Sequence, residues 1–160
     1  VKVPSENVLP KPSNVNFEEA ASLPLVLVTA WRKLVHKAHI KPGDTVLVWG
    51  AAGGLGVMAI QIAKMFRATV IAVASSDEKL ELCKKIGADH VINRSTQDVR
   101  KEVRNIVGRK GIDIVFEHPG QATMGLSVQM AKWGGMVVTS GATTGYEGQI
   151  NLRRIFFREV

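Results

Sequence analysis

The stretch from Thr45 to Gly56 constrains the fold of this chain more than any other. It reads TVLVWGAAGGLG, an apolar strand that runs directly into a glycine-rich turn. A helical pattern of apolar residues follows the turn, at Val57, Met58, Ile60, Ile62, Ala63 and Phe66. A strand, a glycine turn and a helix in this order form the first half of a βαβ unit that holds the pyrophosphate of a dinucleotide.

The glycines of this turn have separate predicted roles. Gly50 and Gly53 are expected to adopt backbone angles closed to other residues, and Gly53 has no Cβ to hold a phosphate away. Gly56 should let the helix pack close to the strand, with the free N–H groups of the helix facing the phosphates. A tight turn without a ligand is the alternative. We predict cofactor contacts from the whole turn: Gly50, Ala51, Ala52, Gly53, Gly54, Leu55 and Gly56.

Composition narrows the class of protein. With 160 residues, 46% of them hydrophobic, the chain suits one domain with a sizeable core. It has no apolar run of membrane-spanning length and no signal-peptide pattern at its N-terminus. Its single cysteine, Cys83, excludes a disulfide framework within the chain and is expected to be a small core residue of a helix. These features predict a cytoplasmic protein with no membrane partner.

The net charge of +7 does not by itself indicate nucleic-acid binding. Acidic residues are interleaved with the basic ones, and no RNA- or DNA-binding module signature is present. A basic surface that attracts an anionic cofactor or substrate accounts for the excess more simply. We therefore expect no nucleic-acid partner.

Alternating apolar runs and helical patterns predict the architecture. Strands are predicted at residues 45–49, 69–74, 90–93, 112–117 and 136–140. Helices are expected between them, including 77–86, a helix capped by Ser95 or Thr96, and about 122–132. Residues 16–39 look helical in pieces, with Asn16 or Ser22 as N-caps and Pro24 in a first turn. The pattern predicts an α/β fold, a doubly wound Rossmann sheet of parallel strands.

Four further stretches carry a resemblance to a known family. They read EEAASLPLVLVTAW at 18–31, KPGDTVLVWGAAGGLG at 41–56, KKIGADHVIN at 84–93 and WGGMVVTSG at 133–141. Together they resemble the medium-chain dehydrogenase/reductase superfamily over nearly the whole chain. The resemblance implies a nicotinamide-dependent oxidoreductase, with a Rossmann domain inserted into a barrel-like (GroES-like) catalytic domain. Residues 1–22 then resemble the end of the catalytic domain and its link, and residues 23–160 a Rossmann domain truncated at strand 6.

Two branches of the superfamily differ in their use of zinc. The alcohol dehydrogenase branch takes a zinc-ligating cysteine from the segment before the TAW motif, which here reads LPLVLV at 23–28. Leucine and valine cannot bind zinc, and His36 and His39 have no evident third ligand nearby. The AxGxxG turn at 51–56 resembles that of quinone and enoyl reductases. We predict that this chain holds no zinc, with a zinc-dependent alcohol dehydrogenase as the alternative.

The segments FEHPGQAT at 116–123 and GGMVVTSGATTG at 134–145 are very similar to crotonyl-CoA carboxylase/reductases. In that family the histidine of the EHPG motif helps to hold CO₂, and His118 matches it. The alternative for His118 is a strand-end residue that is hydrogen-bonded near the cofactor. Glu117 should point to the opposite face, as a structural carboxylate or a ribose contact. The ends of strands 4 and 5 are expected to hold the nicotinamide, through His118, Ser140, Gly141 and Ala142.

The end of strand 2 bears on the choice of cofactor. An NAD site generally has an acidic residue about 20 residues beyond the glycine turn. Here that position reaches Ala74, and the small residues Ser75 and Ser76 follow. Lys79 and Arg94 could bring positive charge to a ribose 2′-phosphate at the same edge. We therefore predict a preference for NADP(H) over NAD(H), although Asp77 could favour NAD if it reached the ribose.

These observations lead to one functional expectation with stated rivals. We expect an oxidoreductase that transfers hydride between NADP(H) and an enoyl, quinone or carbonyl substrate. No residue of the chain is a convincing general acid or base, and the missing domain should bind most of the substrate. The full-length protein is expected to be a homo-oligomer. The alternatives are a reductive carboxylase of an enoyl-CoA and, in another class, a non-catalytic dinucleotide-binding module.

Overall fold

The computed structural model describes residues 1–160 as alternating strands and helices after an irregular N-terminal segment. A short 3-10 turn, Ser5–Asn7, is the one regular element before residue 17. The helices are α1 (Phe17–Ser22), α2 (Pro24–Trp31), α3 (Gly54–Met65), α4 (Asp77–Lys85), α5 (Val99–Val107), α6 (Met124–Met130) and α7 (Leu152–Arg158). The strands are β1 (Thr45–Val48), β2 (Thr69–Ala74), β3 (His90–Asn93), β4 (Ile112–Glu117) and β5 (Ala131–Thr139).

The five strands form one parallel sheet in the order β3-β2-β1-β4-β5, which confirms the predicted Rossmann architecture. The chain builds outward from β1 to β3 and then crosses back to place β4 on the other side of β1. The direction of winding therefore reverses between β1 and β4. In sheets of this kind, ligands bind in the crevice at the carboxyl ends of the two strands where the winding reverses.

Helices cover both faces of the sheet, and each interface has its own core. One core of 17 buried residues joins α2 and α3 to the sheet and includes Leu34, Ile60 and Cys83. The other core lies under α5 and α6 and is built around Leu47, Ile71 and similar residues. Cys83 is fully buried, as predicted. The central strands are buried on both faces, which explains their continuous apolar sequences. No helix is long and apolar enough to cross a bilayer.

The N-terminal helices form largely as the sequence indicated. Asn16 caps α1 with a full capping box, in which its side chain accepts from the Glu19 N–H and Glu19 accepts in return. Pro24 opens α2 at its first position, but Ser22 does not cap that helix. After Trp31 the helix continues as one π-helical segment, Arg32–Lys37.

Element boundaries differ most from the prediction at three places. The helix after the glycine turn begins at Gly54 rather than near Val57, because Gly53 already takes the N-cap position. Asp98 caps α5, in place of Ser95 or Thr96. The strand β5 begins at Ala131, where α6 has already ended, since Ala131 pairs with Ile112 before a register shift. The intervening glycines are therefore part of an irregular strand and do not end a helix.

Candidate functional site

The turn after β1 is closed by backbone hydrogen bonds and one unusual glycine. The Gly53 N–H donates to the Gly50 carbonyl at 3.0 Å, and the Ala51 N–H donates to Val73 of the neighbouring strand at 3.1 Å. Gly50 has φ of +55°, a conformation that favours glycine. The same prediction for Gly53 is wrong, because its φ is −79° and open to any residue. The backbone conformation at position 50 therefore requires glycine. At position 53 the conformation is open to any residue, and the absence of a side chain there only leaves space beside the turn.

Gly56 lets α3 approach the strand, as predicted. A Cβ on Gly56 would lie 2.5 Å from the Gly50 carbonyl oxygen and 2.6 Å from Ala51 Cα, so no larger residue fits. Gly54, Leu55 and Gly56 form the first turn of α3, where N–H groups have no partner within the helix. Unpaired N–H groups at the positive end of a helix, reached through a turn of glycine and alanine residues, fit a pyrophosphate.

A cavity of about 300 Å³ opens beside this turn at the carboxyl end of β2. It brings together residues of three separate segments, which the sequence had assigned to the cofactor phosphates and ribose. The lining residues are Gly50, Ala52, Gly53, Ala74, Ser75, Lys79 and Arg94. Lys79 and Arg94 are its charged members, so the cavity is cationic and suits an anionic group.

Of the polar side chains near this cavity, one lines it and two are hydrogen-bonded to neighbouring elements. Ser75 faces the Lys79 ammonium, with Oγ 3.5 Å from Nζ. Ser76 lies outside the cavity lining, and its hydroxyl caps α4 by accepting from the Lys79 N–H. Asp77 accepts a hydrogen bond from the Asn93 amide at 2.8 Å. The carboxylate that could have favoured NAD is thus held against the end of β3.

The carboxyl ends of β1 and β4 meet where Gly50 contacts His118. A Cβ on Gly50 would lie only 2.7 Å from His118 Nε2, so the imidazole packs directly against the glycine turn. The other ring nitrogen, Nδ1, is buried without a hydrogen-bond partner. The alternative interpretation of His118, as a strand-end residue that is hydrogen-bonded near the cofactor, stays a prediction. The contact places His118 at the crevice where the winding of the sheet reverses.

Glu117 points to the opposite face from His118, as the strand alternation predicted. Its carboxylate is fully buried and accepts from the Gly120 N–H at 3.1 Å and from the Thr139 hydroxyl at 3.2 Å. The Thr123 hydroxyl donates to the same carboxylate. The carboxylate therefore ties the turn after β4 to α6 and β5, and its position is that of a structural group.

The loop after β5 packs against the turn after β4. A Cβ on Gly141 would lie 3.0 Å from the His118 carbonyl oxygen, and one on Gly120 would lie 2.8 Å from Ala142 Cα. The Thr144 N–H donates to the Pro119 carbonyl at 2.8 Å. Ser140, Gly141 and Ala142 are thus adjacent to His118, so the predicted nicotinamide residues share one edge of the sheet.

Lys33 is a buried cation that the sequence analysis did not identify. It is 4% exposed, and its ammonium donates to the Glu117 carbonyl at 2.6 Å. The ammonium also lies 3.5 Å from the centroid of the Phe116 ring, a cation–π contact. A signal was present in the sequence, because Lys33 lies three residues after Ala30 and next to Leu34, both on the apolar side of the helix.

Burial lowers the pKa of both Lys33 and His118, and the charge of Lys33 also acts on His118. Burial lowers the pKa of Lys33 to about 7, while the Glu117 carboxylate opposes that change. Burial also lowers the pKa of His118, and the positive charge of Lys33 lowers it further against the opposing effect of Glu117. Both effects favour the neutral form of the imidazole beside Gly50, in which one ring nitrogen is a potential donor and the other a potential acceptor.

Potential metal ligands do not converge in this structure. No group of three histidine, cysteine, aspartate or glutamate side chains is arranged to hold a metal ion. The segment 23–28 instead forms the N-cap and first residues of α2 with apolar side chains, of which Leu25 is largely exposed. The prediction that this chain holds no zinc therefore stays a prediction.

Comparison with known proteins identifies the family. Residues 54–160 match the zinc-binding dehydrogenase family. A crotonyl-CoA reductase from Streptomyces avermitilis is 40% identical over 173 residues, which cover 96% of this chain and 39% of that protein. A solved NAD-dependent alcohol dehydrogenase matches with a TM-score of 0.93 and 44% identity, over 98% of this chain and 46% of that chain.

A crotonyl-CoA carboxylase/reductase variant solved in complex with NADP also shares the fold. It matches with a TM-score of 0.89 and 34% identity, over 94% of this chain and 44% of that chain. The chain thus spans less than half the length of each of these relatives. The matched residues and the shared sheet show that this chain belongs to the zinc-binding dehydrogenase family, within the medium-chain dehydrogenase/reductase superfamily.

Proposed function

We propose that this chain binds NADP(H) and positions its nicotinamide for hydride transfer. The observation that carries the proposal is the cationic cavity beside the glycine turn, lined by Ser75, Lys79 and Arg94. The unpaired N–H groups of α3 would hold the pyrophosphate. The two cations would hold the ribose 2′-phosphate through charge-assisted hydrogen bonds.

The preference for NADP(H) over NAD(H) rests on this chain's own ribose edge. The two solved relatives differ, since one is named for NAD and the other was solved with NADP. An NAD site needs a carboxylate that accepts from the ribose 2′-OH. Here Asp77, the carboxylate nearest to that edge in sequence, is engaged by Asn93, and two cations line the cavity. These contacts favour a phosphate over a hydroxyl.

The chain's contribution to the reaction is positioning. A bound nicotinamide supplies the hydride chemistry, while the protein sets its orientation and surroundings. His118 and the loop 140–142 border the crevice where the ring would lie, and a neutral His118 can donate or accept one hydrogen bond there. The Lys33 ammonium is engaged by the Glu117 carbonyl and the Phe116 ring, and its proposed part in the site is the effect of its charge on His118.

The substrate class is inferred from the family. Enoyl, quinone and carbonyl compounds are all substrates consistent with a medium-chain reductase. The carboxylation of an enoyl-CoA is an alternative carried by the EHPG motif at His118. We propose that residues outside this chain bind most of the substrate, that residues 1–22 belong with that part, and that the whole protein is a homo-oligomer without nucleic-acid or membrane partners.

Titration with NADPH and NADH tests the cofactor proposal. We expect the wild-type chain to bind NADPH more tightly, and the Lys79→Gln/Arg94→Gln variant to lose at least about tenfold in NADPH affinity with little change for NADH. Lys85→Gln/Lys101→Gln is the matched control, since it removes two exposed positive charges from elsewhere on the surface. Equal affinity of the wild type for both cofactors would refute the preference for NADP(H).

Two further measurements address the rival functions. Binding of NADPH without oxidation in the presence of enoyl, quinone and carbonyl acceptors would favour a dinucleotide-binding module for this chain. Metal analysis of the purified protein tests the zinc prediction, and stoichiometric zinc bound to the chain would contradict it.

A further inference from the structure

A second cavity lies at the opposite edge of the sheet from the cofactor crevice. It has a volume of about 380 Å³ and opens among α5, α6, α7 and the start of β4. Gly111, directly before β4, lines it, and Arg158 beside it donates to the carbonyl of Ala131, the first residue of β5. The length of β4 separates the two sites by about 20 Å. A ligand in this cavity would therefore occupy a separate site.

Arginine dominates the lining of this cavity. None of its eleven lining residues is acidic, and five are arginines. These five are Arg100, Arg104, Arg109, Arg154 and Arg158. The three ion pairs of the chain all use lysine, so none of these guanidinium groups is paired with a carboxylate. We refer to these five residues as the arginine cluster.

Local structure does not account for so much positive charge. Arg104 and Arg158 lie in the last turns of α5 and α7, where cations favour the helix dipole. Each helix C-terminus carries only about half a negative charge, so two of them offset about one of the five charges. Arg158 is also fixed by the carbonyls of Gln129 and Ala131. The remaining guanidinium groups repel one another unless an anion lies between them.

We propose that the arginine cluster binds a small molecule that carries at least two phosphate groups. Planar guanidinium groups recognise phosphate oxygens with two parallel hydrogen bonds, which ammonium groups cannot do. The cavity volume is within the range of small-molecule sites. The ligand is separate from the dinucleotide of the cofactor crevice, and the proposal does not depend on the identity of that cofactor.

Pyrophosphate is the probe for this site, used where the cofactor cavity cannot compete. The parent for the test is Gly53→Val/Lys79→Gln/Arg94→Gln, which blocks the glycine turn and removes the cations of the cofactor cavity. Adding Arg104→Gln/Arg154→Gln should weaken pyrophosphate binding in calorimetry by at least about tenfold. Adding Lys101→Gln/Arg153→Gln should change it less than about twofold, because these neighbours lie on the same two helices outside the cavity.

Thermal unfolding provides a second readout that does not require activity. Pyrophosphate should raise the melting temperature of the parent and of the Lys101/Arg153 control, but not that of the Arg104/Arg154 variant. Without pyrophosphate, the melting temperature of the Arg104/Arg154 variant should be no lower than that of the Lys101/Arg153 control. The reason is that fewer positive charges then repel one another in the arginine cluster. A lower melting temperature there would assign these arginines a structural role and overturn the proposal.

Two comparisons identify the source of the phosphates. Tighter binding of adenosine diphosphate than of pyrophosphate, lost in the Arg104/Arg154 variant, supports a nucleotide ligand. Equal binding supports recognition of the diphosphate alone. An equal loss of pyrophosphate affinity in the Arg104/Arg154 variant and in the Lys101/Arg153 control would overturn the proposed site. So would a duplex DNA that binds more tightly than either probe through Arg104 and Arg154, because the surface would then be a nucleic-acid interface.

Discussion

His118 packs its imidazole against the α-carbon of Gly50, so closely that a Cβ there would lie 2.7 Å from Nε2. Gly50 follows the end of β1 and His118 follows the end of β4, and these two strands are neighbours in the sheet. Their contact joins the proposed phosphate-binding turn to the predicted nicotinamide edge. A change at Gly50 should therefore affect both parts of the site.

Replacement of Gly50 by alanine tests this contact. The positive φ costs about 1 kcal/mol for any residue with a Cβ, and the clash with His118 adds to it. We expect a lower melting temperature and weaker NADPH binding. Gly134→Ala is the control, because Gly134 has a similar φ of +63° but nothing within 4 Å of the added Cβ. Equal effects of the two substitutions on stability and binding would show that the His118 contact is unimportant.

Gly53→Val tests the phosphate-binding role of the turn without straining it. The φ of −79° is open to valine, and a Cβ at Gly53 would meet only the Gly50 carbonyl oxygen, at 3.4 Å. We expect a folded variant whose affinity for NADPH falls by about tenfold or more, because the branched side chain occupies space that a phosphate needs. Circular dichroism checks the fold and fluorescence titration the affinity. A folded variant with wild-type affinity would remove the main support for this assignment.

Lys33 should make stability depend on pH. The pKa is about 7 in the folded chain and near the ordinary 10.5 when unfolded, so between these values the unfolded state binds more protons. Stability should therefore rise with pH from about 7 to 10.5, by at most about 1.4 kcal/mol per pH unit. Lys33→Met should lack this rise. Denaturant unfolding of both proteins measures it, and parallel pH profiles would contradict the assignment.

The same substitution should raise the pKa of His118. Burial and the Lys33 charge both lower the pKa of this imidazole, and methionine removes only the charge. The pKa should consequently increase towards, but not reach, the ordinary histidine value. NMR titration of the imidazole resonances measures the change. Lys37→Met, on the same π-helical segment but exposed, should leave the His118 pKa unchanged. An unchanged value in Lys33→Met would show that the two groups are not coupled.

The secondary structure was largely predictable because its determinants are local. Runs of β-branched residues predicted β2, β3 and β4 with their observed bounds, and the prolines and glycines marked the turns. The close approach at Gly56 also followed from its place between strand and helix. Boundaries were misjudged where local signals competed. Asp98 outcompeted Ser95 and Thr96 as the cap of α5, and Ala131 joined the sheet before the glycine pair.

The sequence by itself determined the parallel sheet and the set of strand ends that form the proposed cofactor crevice, because parallel strands bring their carboxyl ends to one edge. Only the tertiary structure decided which side chains act together there. Lys33 and Glu117 are 84 residues apart, and their contact depends on the rotation of a helix against the sheet. The arginine cluster likewise comes from two separate helices and the turn after α5, whose packing is a long-range property that no local pattern encodes.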